Sequence, residues 1–294
     1  MRMTGSTAPT ALLLGLVVLA GPVMGATTYF VNVFENSSGT GPCAPASGQD
    51  LEQGGAPVSG SLLCGPLGGN ISASAVSSTG HAGAALQLTP GSQTFSFSTF
   101  TTDVIFSTLN PNAPQDPISV ALNLAVGGTM VVSVPADAEW LATADIAHTD
   151  FSYATTVDSG GAYCLNGCLR TVGFSSGGEV MSGLSDTVSG ILTTPPLGNI
   201  PLNTPVLIAF TLELQGGGNA NSLFKLDFPS GGPVFNLPDG ITANAPDASL
   251  VNNTFAPAGT VPEPGSLILL GAGLTAVGGL TRRKSRRQDT KFTR

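Results

Sequence analysis

The chain has 294 residues and a formal net charge of −8, with 10 lysine and arginine residues against 18 aspartate and glutamate residues. Seven of the basic residues lie in residues 282–294 and an eighth is Arg2, so residues 27–264 hold two basic and 17 acidic side chains. A body with a net charge of about −15 has no basic patch to neutralise phosphates, which excludes nucleic acid and anionic membrane surfaces as partners.

Residues 1–26 have the order of a secretory signal peptide. Arg2 precedes an apolar run at residues 11–20, and small residues follow, with Val23 and Gly25 at the spacing that a signal peptidase recognises. The apolar run is too short to cross a bilayer, which takes about 20 residues in a helix. We therefore expect export with cleavage after Gly25 or Ala26, and a buried N-terminal helix is the alternative.

Residues 27–255 predict one all-β body, because apolar and polar residues alternate in several stretches with Gly and Pro between them. In residues 205–214, one face collects the apolar side chains Val206, Ile208, Phe210, Leu212 and Leu214. Thr211 and Glu213 lie on the other face. The remaining stretches are residues 28–34, 94–100, 118–126, 129–134 and 223–228. A period of two with one polar face is typical of antiparallel sheets on a core, so we expect an antiparallel β-sandwich of jelly-roll type.

Helical periodicity is confined to residues 135–148, where Pro135 would open a short helix with Trp140, Leu141 and Ala144 on one side. Residues 36–80 are rich in Gly, Ser, Ala and Pro and indicate long loops. Residues 256–265 have the composition of a linker.

Four cysteines, Cys43, Cys64, Cys164 and Cys168, fall in the part that would be exported, where disulfides form. Four cysteines allow three pairings, and proximity in sequence favours Cys43–Cys64 and Cys164–Cys168. A zinc site is the competitor. It is disfavoured because the gap between Cys43 and Cys64 does not fit two closely spaced ligand pairs.

Residues 173–177, with the sequence GFSSG, match the pattern around the nucleophile of serine hydrolases, with Ser175 in the nucleophile position. That motif needs a following helix and a later histidine, whereas both histidines, His81 and His148, come earlier. We therefore expect a Gly-rich hairpin loop there and name no catalytic residue.

Asp145, His148 and Asp150 fall within six residues and are the candidate ligands of a divalent metal. A solvated turn is the alternative, because the remaining ligands of such a site cannot be identified in the sequence. Calcium is the cation that oxygen-rich loops and 17 acidic side chains favour, although no EF-hand loop is present. No other cofactor is indicated.

The C-terminus combines three features in order. Pro262, Glu263 and Pro264 form a stiff triplet, residues 266–281 predict a transmembrane helix, and residues 282–294 form a basic cytoplasmic tail. The basic cluster that follows the helix consists of Arg282, Arg283, Lys284, Arg286 and Arg287. The uncharged stretch from Ser266 to Leu280 would make a helix of about 22 Å, shorter than a hydrocarbon core of about 30 Å. A plain tail anchor is the alternative.

This order, over residues 261–287, resembles the PEP-CTERM sorting signal of exported bacterial proteins. The resemblance implies an exosortase-type membrane transpeptidase as partner, transient anchoring in the inner membrane and cleavage near the triplet. It further implies delivery to the cell surface or extracellular matrix of a Gram-negative bacterium that makes an exopolysaccharide. Residues 201–255 are similar to a segment that recurs in such proteins, in which Pro238, Asp239 and Gly240 predict a turn with Pro238 in its second position.

Two functions stay open. The first is a structural or adhesive surface protein that binds exopolysaccharide or other surface proteins. The second is a secreted hydrolase that acts on matrix glycan through acidic residues. One Trp and three Tyr are few for a sugar-stacking platform. Because the sequence singles out no catalytic constellation, we favour the protein without enzymatic activity.

Overall fold

A computed structural model describes residues 27–35, 49–64, 71–88, 93–108, 116–158, 161–163 and 171–256. The predicted signal peptide, sorting helix and basic tail lie outside these ranges, within which no helix has the length and apolarity to cross a bilayer. Helix in the described chain is confined to a 3₁₀ turn at Pro246–Ala248. The strands are β1 (Thr28–Glu35), β2 (Gln49–Gly54), β3 (Val58–Cys64), β4 (Ile71–Ser78), β5 (His81–Gln87), β6 (Gln93–Thr108), β7 (Ile118–Ile146), β8 (Thr149–Asp158), β9 (Gly161–Tyr163), β10 (Gly173–Ser182), β11 (Ser185–Thr193), β12 (Leu197–Ile200), β13 (Pro205–Asp227), β14 (Phe235–Asn236), β15 (Ile241–Asn244), β16 (Leu250–Val251) and β17 (Thr254–Phe255).

Two long strands, β7 and β13, organise the fold. They pair in antiparallel register from Ile146 opposite Ile208 to Ala125 opposite Asp227. The register shifts midway, where residues 134–136 of β7 face Gly218 of β13. Gly218 has a φ of 76°, which a residue with a side chain rarely adopts. This irregularity divides each strand into two halves with different neighbours.

The halves belong to two layers. In the first layer the strand order is β9, β8, the second half of β7, the first half of β13, β6, β1 and β2. In the second layer the order is β10, β11, the first half of β7, the second half of β13, β5, β4 and β3. All of these pairings are antiparallel, as predicted.

The two layers pack against each other and enclose the core. Trp140 of the first layer stacks on Phe224 of the second with ring centroids 4.9 Å apart. On the other side of the core, the Ser96 and Ser98 hydroxyls of β6 donate to the carbonyls of Ser74 and Val76 in β4, at 2.6 and 2.5 Å. The molecule is therefore a sandwich whose layers share β7 and β13.

The alternation predicted for the main strands is confirmed by burial. All five apolar side chains of residues 205–214 are buried, and so are Ile118, Val120, Leu122, Leu124, Phe224, Leu226 and Phe228. Fold class is thus all-β and antiparallel. Jelly-roll connectivity is not confirmed. Most of the topology consists of hairpins between strands that are adjacent in sequence, together with two strands that both layers share.

The helix predicted over residues 135–148 is wrong, because this segment is the second half of β7. From residue 138 to residue 146 this half of β7 pairs with β13 on one side and β8 on the other, and the hydrogen bonds of the two pairings outweigh the modest helical preference of alanine. Ala138, Trp140, Ala142 and Ala144 alternate into the core.

The prediction of long loops over residues 36–80 is also wrong in part, since β2, β3 and β4 lie within this range. Small residues serve packing here. Ala73, Ala75, Ala82 and Ala84 of β4 and β5 are buried, and their size lets β6 approach closely enough for Ser96 and Ser98 to reach backbone carbonyls.

The predicted turn at Pro238 is present but displaced by one residue. The Ile241 N–H donates to the Pro238 carbonyl at 3.2 Å, so Pro238 holds the first position and Gly240 the third.

Gly128 of β7 marks a close approach that can be tested. A Cβ atom there would lie 2.4 Å from Cδ1 of Phe224 and 2.5 Å from the Leu223 carbonyl oxygen. We expect Gly128→Ala to lower the free energy of unfolding by about 1 to 3 kcal/mol, the usual cost of overpacking. The neighbour Gly127, whose Cβ would meet nothing closer than Lys225 Cε at 3.5 Å, provides the matched control Gly127→Ala. Urea denaturation of both variants checks this, and equal losses would contradict it.

Candidate functional site

The outer face of the first layer combines aromatic rings with carboxylates. In one row across the sheet, Gln215 of β13 lies between Phe95 of β6 and Glu139 of β7. In the adjacent row, Glu213 of β13 lies beside Phe97 of β6. All five side chains are partly exposed. Glu139 and Glu213 are diagonal neighbours, a relation that separates Cα atoms by about 7 to 8 Å and lets long side chains meet. We call these five residues the Phe–Glu face.

The aromatic part of the Phe–Glu face arises from strand residues that point away from the core. Phe95 and Phe97 stack with centroids 5.9 Å apart and planes inclined by 14°, and Phe30 of β1 meets Phe97 edge-on at 5.5 Å. In β6, Ser96 and Ser98 occupy the interior instead. Residues 94–100 thus form the predicted strand, with Phe95 and Phe97 on the outside and Phe100 in the core.

The two carboxyl groups of the Phe–Glu face have pKa values above the ordinary range. Burial, and secondly the charge of Glu139, raise the pKa of Glu213 to about 7. Burial also raises the pKa of Glu139, although its carboxylate accepts hydrogen bonds from Gln215 Nε2 at 3.2 Å and Thr156 Oγ1 at 3.3 Å. Near neutral pH the pair can therefore both donate and accept hydrogen bonds beside an apolar platform.

A second carboxyl pair lies between the layers. Asp186 of β11 is fully buried and accepts the Trp140 indole N–H at 2.8 Å. Glu179 of β10 accepts from the Tyr153 hydroxyl at 2.6 Å and from the Thr155 hydroxyl. Burial chiefly, and the nearby Glu179, raise the pKa of Asp186 to about 7, while the Trp140 hydrogen bond opposes this. Since Asp186 has no exposed surface, the pair joins the β10–β11 hairpin to β7 and β8 and does not face a surface ligand.

The predicted metal candidates lie together in the β7–β8 hairpin. Ala147 and His148 have φ values of 51° and 67° and form its two-residue turn. One Asp145 carboxylate oxygen accepts the His148 backbone N–H at 2.7 Å, and burial raises the pKa of Asp145. His148 and Asp150 are exposed. Among the described residues, no group of three His, Cys, Asp or Glu side chains is placed to hold a metal ion, so calcium stays a prediction.

Ser175 lies in the predicted Gly-rich hairpin, but within strand β10 at a register shift rather than in the connecting loop. Its hydroxyl accepts a hydrogen bond from Thr193 Oγ1 at 2.7 Å and donates to the Ile191 carbonyl at 3.3 Å. His81, one of the two histidines of the chain, is paired with Asp227.

Several predicted residues cannot be placed. Cys43, Cys164 and Cys168 lie outside the described residues, and Cys64 ends β3 with its side chain undescribed, so both disulfides stay predictions. The described ranges also do not include the sorting residues Pro262, Glu263, Pro264, Arg282, Arg283, Lys284, Arg286 and Arg287.

Sequence reasoning missed the Phe–Glu face for identifiable reasons. The outward position of Glu213 was visible in the alternation of residues 205–214. Glu139 was hidden within the segment predicted as helix, and only strand pairing across 76 residues brings it beside Gln215.

Comparison with known proteins identifies the C-terminus. The PEP-CTERM protein-sorting motif matches residues 260–287, which contain the triplet and the basic cluster. No curated protein matches the chain. These findings define an exported, antiparallel all-β protein with a C-terminal sorting signal. Its C-terminal segment matches the sorting motif of PEP-CTERM proteins, which supports export, processing by an exosortase and transient association with the membrane.

Proposed function

We propose that this protein is a structural or adhesive component of the cell surface or extracellular matrix, and that it associates with exopolysaccharide through the Phe–Glu face. The proposal places the mature protein outside a Gram-negative cell. Its partners there are the polysaccharide and other surface proteins.

The observation that carries this proposal is the juxtaposition of stacked phenylalanine rings with half-buried carboxylates and an amide on one open sheet face. Sugar rings present apolar C–H faces and hydroxyl edges, which need an apolar platform beside hydrogen-bonding groups. The platform rings usual for sugars are not free for this role in the described chain, because Trp140, Tyr29 and Tyr153 are buried. Phe95 and Phe97 are partly exposed beside Gln215 and Glu213, and Phe30 and Phe34 of β1 extend this aromatic surface.

A binding experiment tests the proposal. We expect the exported protein to bind the producer's own exopolysaccharide in isothermal titration calorimetry, and Phe97→Ala to weaken binding about tenfold, or roughly 1.4 kcal/mol. Val251→Ala removes an apolar side chain that is 53% exposed elsewhere and is the matched control. Glu213→Gln should remove any change in affinity between pH 6 and pH 8, because it removes the carboxyl with a pKa of about 7.

Two results would contradict the proposal. Equal affinities of Phe97→Ala and wild type would exclude the Phe–Glu face as the binding site. Release of reducing ends from the polysaccharide, lost in Glu139→Gln or Glu213→Gln, would instead identify a glycan hydrolase.

A further inference from the structure

We propose that the exopolysaccharide bound at the Phe–Glu face carries free amino groups, and that one sugar ammonium group lies between the carboxyl groups of Glu139 and Glu213. This inference rests on the proposed function, because it names the chemical class of the glycan for the same site. The class is a polymer that contains hexosamine units without N-acetyl groups, as distinct from neutral glucans and from acidic glycans.

Among the described residues, no basic side chain accompanies the two carboxyl groups of the Phe–Glu face. Glu139 and Glu213 are diagonal neighbours on paired strands, and the charge of Glu139 contributes to the raised pKa of Glu213. In the described chain the one lysine or arginine is Lys225, which lies in the second layer. A cation that the ligand supplies would therefore remove a repulsion that the described residues leave uncompensated.

The two carboxyl groups differ in their partners. Oε2 of Glu139 accepts hydrogen bonds from Gln215 Nε2 at 3.2 Å and Thr156 Oγ1 at 3.3 Å, which fixes this carboxylate. The partly exposed Glu213 carboxyl has no hydrogen-bond partner within the described chain. A sugar ammonium group has, like that of lysine, several N–H donors. It can therefore donate to both carboxylates at once, in charge-assisted hydrogen bonds that are stronger than neutral ones.

The phenylalanine rings beside the carboxyl groups favour an organic cation over a metal ion. Phe97 lies beside Glu213 in the strand register, and Phe95 stacks on Phe97 with ring centroids 5.9 Å apart. Ring faces attract ammonium groups through the cation–π interaction and also cover the apolar C–H face of a sugar. Calcium takes roughly six to eight oxygen ligands, whereas this face offers two carboxyl groups beside apolar rings.

The charge of the exported body acts in the same direction. Residues 27–264 hold two basic and 17 acidic side chains, so the body repels acidic polysaccharides and attracts cationic ones. Asp137, two residues before Glu139 on the same face of β7, is exposed and adds a further negative charge there. The long-range attraction concentrates a cationic polymer near the protein, and the contacts at the Phe–Glu face select where it binds. An experiment has to separate these two effects.

Isothermal titration calorimetry with matched oligosaccharides tests the inference. Hexamers of glucosamine, N-acetylglucosamine and glucose with the same linkage differ only in the substituent at one ring carbon. At pH 6, with EDTA present to exclude bridging by divalent cations, the glucosamine hexamer should bind at least about tenfold more tightly than the other two. This preference should shrink as salt is added, because salt screens the attraction between charges.

Proton release at pH 6 is a second readout of the same contact. An ammonium group stabilises the charged form of Glu213, whose pKa is about 7 in the free protein, so binding should displace its proton. The heat measured with the glucosamine hexamer should therefore vary with the ionisation enthalpy of the buffer. In Glu213→Gln this variation should be largely lost.

Two double variants separate the face from the overall charge. Glu139→Gln with Glu213→Gln should abolish the preference for the glucosamine hexamer. Asp239→Asn with Asp247→Asn removes two carboxylates at exposed positions outside the Phe–Glu face and should keep the preference. Circular dichroism checks that both variants fold. Equal losses in the two double variants would show that overall charge alone attracts the amine, and would overturn the inference.

Chemical acetylation of the producer's exopolysaccharide separates this inference from the proposed function. Blocking its amino groups with acetic anhydride should weaken binding to the wild-type protein at least about tenfold. Binding that is unchanged by acetylation would overturn the amino-sugar inference and leave the proposed function standing. A protein that binds neither the native nor the acetylated polymer would overturn the proposed function, and the inference with it.

Discussion

Replacing Asp186 with asparagine should raise the free energy of unfolding at pH 8 by roughly 2 to 3 kcal/mol and leave it nearly unchanged at pH 4. Asp186 is fully buried, and burial raises its pKa from an ordinary 3.8 to about 7. Between these two pH values the folded state holds a proton that the unfolded state has lost. The stability that Asp186 contributes is therefore fully present below about pH 4 and is lost as pH rises through about 7.

Asparagine removes the contribution of Asp186 to the pH dependence of stability and keeps the contact with Trp140. Its side-chain oxygen can still accept the Trp140 indole N–H, and its amide can donate to Glu179, which removes the repulsion between two carboxylates. Urea denaturation at pH 4, 6 and 8 measures the effect. Asp150→Asn, at an exposed position near the start of β8, is the control and should change stability little. A variant with the same pH dependence as wild type would show that Asp186 is not the buried titrating group.

The sequence predicted the strands best where large apolar residues alternate with polar ones. Val206, Ile208 and Phe210 have that pattern, and their burial follows directly from the hydrophobic effect. The same rule failed in β6, where Phe95 and Phe97 face outward. There the interior is so closely packed that serine fits and phenylalanine does not, and that closeness is set by alanines on β4 and β5 far away in sequence.

The interior carboxyl pair was beyond sequence reasoning. Asp186 meets Trp140 across 46 residues, and Glu179 meets Tyr153 across 26 residues. No local pattern specifies these contacts, because they depend on the layer to which each half of β7 belongs. Because residues 135–148 were predicted to form a helix, Trp140 was not assigned to a strand, and its contact with Asp186 could not be predicted.

The sorting signal, unlike the interior carboxyl pair, could be predicted from the sequence, because its features are local and need no tertiary contact. The triplet, the apolar stretch and the basic cluster act through backbone stiffness, length and charge. Proline fixes φ and disfavours helix at the residue before it, so Pro262 and Pro264 predict a break between the apolar stretch and the β body. The stretch from Ser266 to Leu280 is shorter than the bilayer core and rich in glycine, which suits a temporary anchor.

Neutralising the basic cluster should abolish normal processing. Each charge at the bilayer centre costs about 2.5 to 3.5 kcal/mol on insertion scales, so we expect the basic cluster to hold the tail in the cytoplasm until cleavage. The cluster consists of Arg282, Arg283, Lys284, Arg286 and Arg287. Mass spectrometry of wild-type protein from producing cells should find a C-terminus near Pro264, with residues beyond about 270 missing. Replacement of all five residues by glutamine should leave little protein with this terminus. Replacement of Lys291 and Arg294, which lie beyond the matched motif, is the control and should leave processing intact. An intact Arg294 on wild-type surface protein, in cells that make the exosortase, would show that the segment is a permanent anchor.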